Sequence, residues 1–228
     1  MKKNLVLLAL LLVNTQMLFA QRELMLSAEA GGGMRMWYGE KAITDLDDPA
    51  FSFTAGLSIR YQFSKNLAVG TAVDFERKGE LFKTIFTDNV GTEIGEGKIH
   101  YNLDYVTVPL NMIVVFNSRI KPFLSAGPYI SYLRNSFLKV DIPNQGIIKT
   151  DLDGQYHKFD YGVSFGCGIM IPFGEQLGMS LQLRDNLGLV KIEKSDYYGS
   201  SDIKNNTVHL LAGFVYRLKN ETSTNRKP

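Results

Sequence analysis

The chain has 228 residues, with 25 Lys and Arg against 23 Asp and Glu, and one cysteine. That balance, with no basic block, excludes a nucleic-acid binder held by charge, and a single cysteine excludes an internal disulfide framework. After the first stretch no apolar run reaches the roughly 18 residues of a spanning helix.

Lys2 and Lys3, followed by an uncharged apolar stretch from Leu5 to Val13, read as an export signal with cleavage after Ala20. Residues 1–20 are expected to be removed, residues 21–218 to form one domain, and the polar tail 219–228 to stay disordered.

Helical periodicity is absent from the domain, whereas eight runs alternate apolar and polar residues with period two. The first, Leu24 to Trp37, sets Leu24, Leu26, Ala28, Ala30, Met34 and Met36 opposite Ser27, Glu29, Gly31, Gly33 and Arg35. The second, Phe51 to Phe63, is apolar at every odd position. Leu67 to Arg77 follows, with Asp74 and Glu76 on its polar side. Tyr101 to Phe116 changes phase, which predicts a bulge near Asp104. Pro122 to Arg134, Phe159 to Ile171, Leu177 to Asn186 and Thr207 to Leu218 complete the set. Three connections are tight: Ser64 to Asn66, Asn117 to Ile120 and Pro172 to Gln176. The other four are long, roughly 39–50, 79–100, 135–158 and 187–206. Short turns on one rim and long loops on the other predict an all-β, eight-stranded, antiparallel up-and-down transmembrane barrel, with periplasmic turns and extracellular loops. The first and last strands should pair, because lipid does not tolerate an open sheet edge.

A soluble eight-stranded barrel also alternates, with its apolar face inward. The polar face separates the two cases. It is rich in Gly, Ala and Ser rather than Lys and Glu, and carries isolated charges at Glu29, Arg35, Arg60, Asp74, Glu76, Asp160, Arg184 and Arg217. Small residues suit a crowded lumen, and the charges are expected to pair there, since an unpaired buried charge is strongly destabilising. Aromatic residues gather near the strand ends: Trp37, Phe51, Phe53, Tyr101, Tyr132 and Phe159 towards the long loops, and Tyr61, Phe63, Phe116 and Tyr216 towards the turns. Two aromatic girdles around an apolar band predict lipid against that face and residence in the outer membrane after export.

Three stretches carry a family resemblance. "YVTVPLNMIVVF" (Tyr105 to Phe116), "KPFLSAGPYISYL" (Lys121 to Leu133) and "FDYGVSFGCGI" (Phe159 to Ile169) resemble strands of the PorT-like outer-membrane barrels of Bacteroidetes. Thr107 departs from that pattern, where many members carry Glu, and ten residues follow the last strand's Leu218. The resemblance implies the barrel fold, handling by the barrel-assembly machinery, and a role in the envelope, with protein secretion known for one member.

Three functions follow as alternatives. The first is a non-enzymatic, plugged barrel with a structural or interaction role, its partners being outer-membrane lipid and an envelope or secretion protein. The second is a lipid- or peptide-modifying enzyme at the outer rim, for which His100 or His157 would need Ser136, Asp104 or Asp160 close by. The third is a narrow solute pore. No cofactor is expected. The acidic stretches Asp45 to Asp48 and Asp151 to Gly154 fall short of a calcium loop and read as turns. Acids outnumber bases in the long connections, so the outer rim is expected to be mildly acidic. Tyr197 and Tyr198 there form a further candidate contact surface.

Overall fold

A computed structural model describes residues 23–39, 47–88, 90–143, 146–194 and 202–218. The export signal, the tail, Asp45, Tyr197 and Tyr198 lie outside these residues. Ten strands form in chain order: β1 (Glu23–Tyr38), β2 (Asp47–Asp48), β3 (Ala50–Gln62), β4 (Leu67–Thr87), β5 (Glu93–Val115), β6 (Lys121–Ile142), β7 (Gly146–Asp151), β8 (Phe159–Phe173), β9 (Leu177–Gly188) and β10 (Lys204–Leu218). All pairings are antiparallel. Eight of the strands make a ring, β1-β3-β4-β5-β6-β8-β9-β10, and β10 returns to β1 from Leu24↔Leu218 to Tyr38↔Lys204. The predicted closure is therefore present, and the described barrel has no free edge.

Period-two alternation decides which side chains enter the lumen. On β3, Phe51 is 74% exposed and Leu57 68%, while Ser52 between them is fully buried. The same sense holds on β10, where Phe214 is 72% exposed and His209 is buried. The apolar faces point outward and the polar faces inward, which is the reverse of a water-soluble barrel. The predicted bulge lies between Asp104 and Tyr105. Asp104 pairs with Asn135 and Tyr105 with Leu133, so Arg134 is the extra residue on β6.

Two of the expected long loops are largely strand. β4 and β5 stay paired past the barrel to Thr87↔Glu93, through Leu81↔His100 and Phe82↔Ile99. Gly79, which reads as a strand end in the sequence, instead sits within β4 at φ +119. A Cβ there would lie 2.1 Å from the Tyr101 carbonyl oxygen, so only glycine lets the ribbon pass that point unbroken. The Asp88 carboxylate closes the tip by accepting the Val90 and Thr92 amides at 2.9 and 2.8 Å. β6 runs on beside this ribbon to Ile142, and β7 folds back along it. A platform of β4, β5, β6 and β7, with the two-residue β2 paired to β4 at its edge, thus stands beyond one rim of the barrel.

Candidate functional site: the filled lumen

The lumen is built in levels, from the short-turn rim to the long-loop rim. Next to the turns, Met25, Met170 and Val215 pack together, as do Ala68, Ile113, Val115 and Phe123. Arg217 sits at this rim, 3.5 Å from Glu23. Arg60 lies with its guanidinium 4.6 Å from the Phe123 ring centroid. It lines, with Glu29 and Arg184, a cavity of about 30 Å3, room for about one water molecule.

The middle level is a fork. Arg184 on β9 donates to Asp74 at 2.7 Å and to Glu29 at 3.2 Å, bridging β4 and β1 across the barrel. Charge-assisted bonds of this kind are the strong ones.

Above it lies a hub whose cation the charge pattern did not include, although its carboxylates Glu76 and Asp160 were part of that pattern. Lys78 is fully buried. Its Nζ donates to Asp160 at 3.0 Å, to Ser131 at 3.3 Å and to the Tyr129 hydroxyl at 3.3 Å, and is 3.8 Å from Glu76. It also lies 4.4 Å from the Tyr129 ring and 5.2 Å from the Tyr105 ring. Glu76 accepts from Thr107 at 2.9 Å, from Asn186 at 3.2 Å and from Thr207, with His209 Nδ1 3.7 Å away. Asp160 accepts from Asn205 at 3.1 Å. His209 Nε2 is 2.8 Å from Ser52 Oγ. Thr107, the departure from the PorT-like pattern, therefore meets a carboxylate with a hydroxyl donor.

The long-loop mouth is closed by an apolar cap. Trp37, Leu103, Tyr105, Leu133, Leu152, Tyr156, Ile192 and Ile203 are buried together, with Phe82, Tyr101 and Leu138 against them. The Trp37 ring lies tilted against Tyr101 at 5.1 Å and Tyr156 at 6.3 Å, and its indole donates to Asn205 at 3.1 Å. Backbone bonds from Ile192 to Ile203 and from His157 to Ile192 tie the connections across the mouth. Burial pushes the Tyr156 phenol well above its ordinary range.

Several expected placements change. Trp37 and Tyr101 do not join a lipid-facing girdle: their rings turn inward and form the cap. Trp37 shares the odd parity of Glu29 and Arg35, a signal that already marks it as inward. Among the described residues, the side-chain bonds of Arg35 go to carbonyl oxygens rather than to a carboxylate. Its guanidinium donates to the Lys78 and Tyr101 carbonyls at 2.7 and 3.1 Å and to Asn102 at 2.9 Å. Arg60 rests on an aromatic ring. Lys78 has the even parity of Asp74 and Glu76, and is found by continuing that run two residues past Glu76. The other girdle candidates lie on the outer wall: Phe51, Phe53, Tyr132 and Phe159 at one end, and Phe116 and Tyr216 at the other, are exposed. Tyr61 and Phe63 are half-buried.

The residues proposed for rim catalysis are engaged elsewhere. Asp160 holds Lys78, Asp104 holds Arg77 on the outer wall at 2.6 Å, and Ser136 faces Asp153 at 3.5 Å. Asp151 accepts the Asp153 amide at 2.9 Å, as a turn residue does. Among the described residues no cluster of three or more His, Cys, Asp or Glu is arranged to hold a metal ion.

A closed antiparallel ring, apolar outside and polar within, defines an integral β-barrel of the outer membrane. The chain belongs to the family of the outer membrane protein beta-barrel domain, whose model matches residues 19–194. Among solved structures it is similar to Neisserial surface protein A, at 15% identity and TM-score 0.48, over 85% of this chain and 96% of that one. It is also similar to Ail, the attachment invasion locus protein of Yersinia pestis, crystallised with the heparin analogue sucrose octasulfate, at 17% identity and TM-score 0.42, over 87% and 99%. The N-terminal β-barrel domain of Pseudomonas aeruginosa OprF is a third, at 14% identity and TM-score 0.43, over 87% and 100%. Among curated proteins none matches at a significant level.

Proposed function

We propose that this outer-membrane barrel is non-enzymatic and non-conducting, and that it serves as a membrane anchor for its extracellular platform. The observation that carries this reading is the lumen, obstructed in three zones: the Met and Phe packing at the turns, the two charged levels of Arg184 and Lys78, and the aromatic cap. A conduit would need a polar path past all three. The platform exposes Ile85, Val90, Ile147 and Ile148, an apolar set suited to contact with another envelope component. Service to protein secretion is the narrower form of this reading, and rests on the PorT-like resemblance. Export by the signal at residues 1–20 and insertion by the barrel-assembly machinery belong to the same proposal.

Reconstitution in planar bilayers tests it. The expected trace is flat at either polarity. Steady single-channel steps from protein that also shifts in gel mobility on heating would overturn the non-conducting reading.

A further inference from the structure

On the outer wall, beside the long-loop rim, a groove of about 360 Å3 runs between the start of β8 and the segment after β9. It lies outside the lumen. Its lower part is aromatic. Tyr132, Phe159 and Tyr161 form a row, with centroids 5.4 and 6.2 Å apart, and all three are exposed in the upper girdle. Its upper part is cationic. Lys158 follows directly on the girdle, and Val190 and Lys191 continue from Leu189, whose amide bonds the Tyr161 carbonyl at 2.8 Å. His157 completes the lining. Arg134, the extra residue of the bulge, is exposed next to Leu133, whose amide bonds the Lys158 carbonyl at 2.8 Å. The two connections that form the groove, 135–158 and 187–206, carry acids and bases in equal number, and the groove draws its lining from the bases.

The order is the one an outer-leaflet lipid presents, with acyl chains against the aromatic belt and anionic groups just above it. The geometry points to this groove as a seat for a phosphorylated lipid of the outer leaflet. Phe159, Tyr161 and Val190 contact its acyl and sugar portion, and Lys158 and Lys191 hold its phosphate. A peptide or a nucleic acid would not need cations placed at the edge of an apolar belt.

The test uses the full chain folded in dodecyl maltoside and offered bisphosphorylated lipid A or its dephosphorylated form, with retained lipid counted by native mass spectrometry. The unmodified chain should retain the phosphorylated lipid roughly tenfold better, in line with two interfacial lysines. K158Q/K191Q should lose that preference while keeping its heat-dependent mobility shift. K83Q/K98Q, which removes as much charge from the platform, should keep the preference. Equal retention of both lipids, an unchanged K158Q/K191Q, or an equal loss in K83Q/K98Q would each overturn the proposal. Displacement by an equal concentration of inorganic phosphate would also overturn it, by assigning the cations to a free anion. Should K158Q/K191Q not fold, K158R/K191R is decisive: retention at the level of the unmodified chain supports the seat, and loss of the preference sinks it.

Discussion

Lys78 is the residue on which the lumen turns. It is the cation held between Asp160 and Glu76, and nothing of its side chain reaches solvent. Lys78→Met would leave both carboxylates buried beside an apolar chain, at a cost of about 3–5 kcal/mol. Urea unfolding in lipid vesicles, followed through the fluorescence of the single tryptophan, Trp37, should show that loss. Adding Asp160→Asn should recover part of it, because the two changes remove one interaction rather than two. Gly162 is a second sensitive point. A Cβ there would lie 2.6 Å from the ring of Tyr129, the residue whose hydroxyl accepts from Lys78. Gly162→Ala should destabilise by about 1–3 kcal/mol through overpacking in the same assay. Neither role stands out in the sequence. In "ERKGE" (Glu76 to Glu80) the charges and the glycine look like a strand ending in solvent. They are in fact a strand that goes on, with Glu76, Lys78 and Glu80 turned into the protein-filled lumen and Arg77 on the outer wall, and each charge finds a partner on another strand.

At the scale of the strand, the wall is the part most readily read from sequence. Phe51 to Phe63 alternates because one side meets lipid and the other the lumen, and no helix pattern imitates that. Leu57, near the middle of β3, is therefore a sharp probe. Leu57→Arg should cost about 2–4 kcal/mol in vesicles, and the variant should fold poorly from urea. If the outer face met water, the same change would be nearly neutral. The phase change at Tyr105 was legible too, since a bulge is what an antiparallel strand uses to absorb it. The platform was not. Gly79, Lys83 and Gly95 punctuate residues 79–100 as a loop would, and their strand identity comes from β6 pairing along β5 at Lys98↔Asp141 and Val140↔Ile99. A short epitope inserted between Gly91 and Thr92 should be reached by antibody on intact cells. The same epitope at Lys65, on the opposite rim, should be reached only after permeabilisation.

At the scale of the molecule, the cap and the two charged levels make the barrel a solid body rather than a tube. Trimming only one level should then leave it closed. Trp37→Ala, which opens the cap, should still give a flat trace in planar bilayers, whereas ion flow in that variant would place the whole seal in the cap. The aromatic cap was the least legible feature. Leu152, Tyr156, Ile192 and Ile203 come from connections without periodicity, and only the folded chain brings them over Trp37 and Tyr105. The seam between β1 and β10 has a consequence in time. The two strands stand at opposite ends of the described chain, so their pairing closes the largest loop of any seam and carries the largest loop-closure cost. Until it forms, the Lys78 and Arg184 networks lack the lumen that shields them. Each half-made barrel is therefore poorly matched to lipid, and the finished one can reopen only by giving up the whole seam together. Unfolding from the membrane should accordingly be slow, because no single broken bond opens the ring.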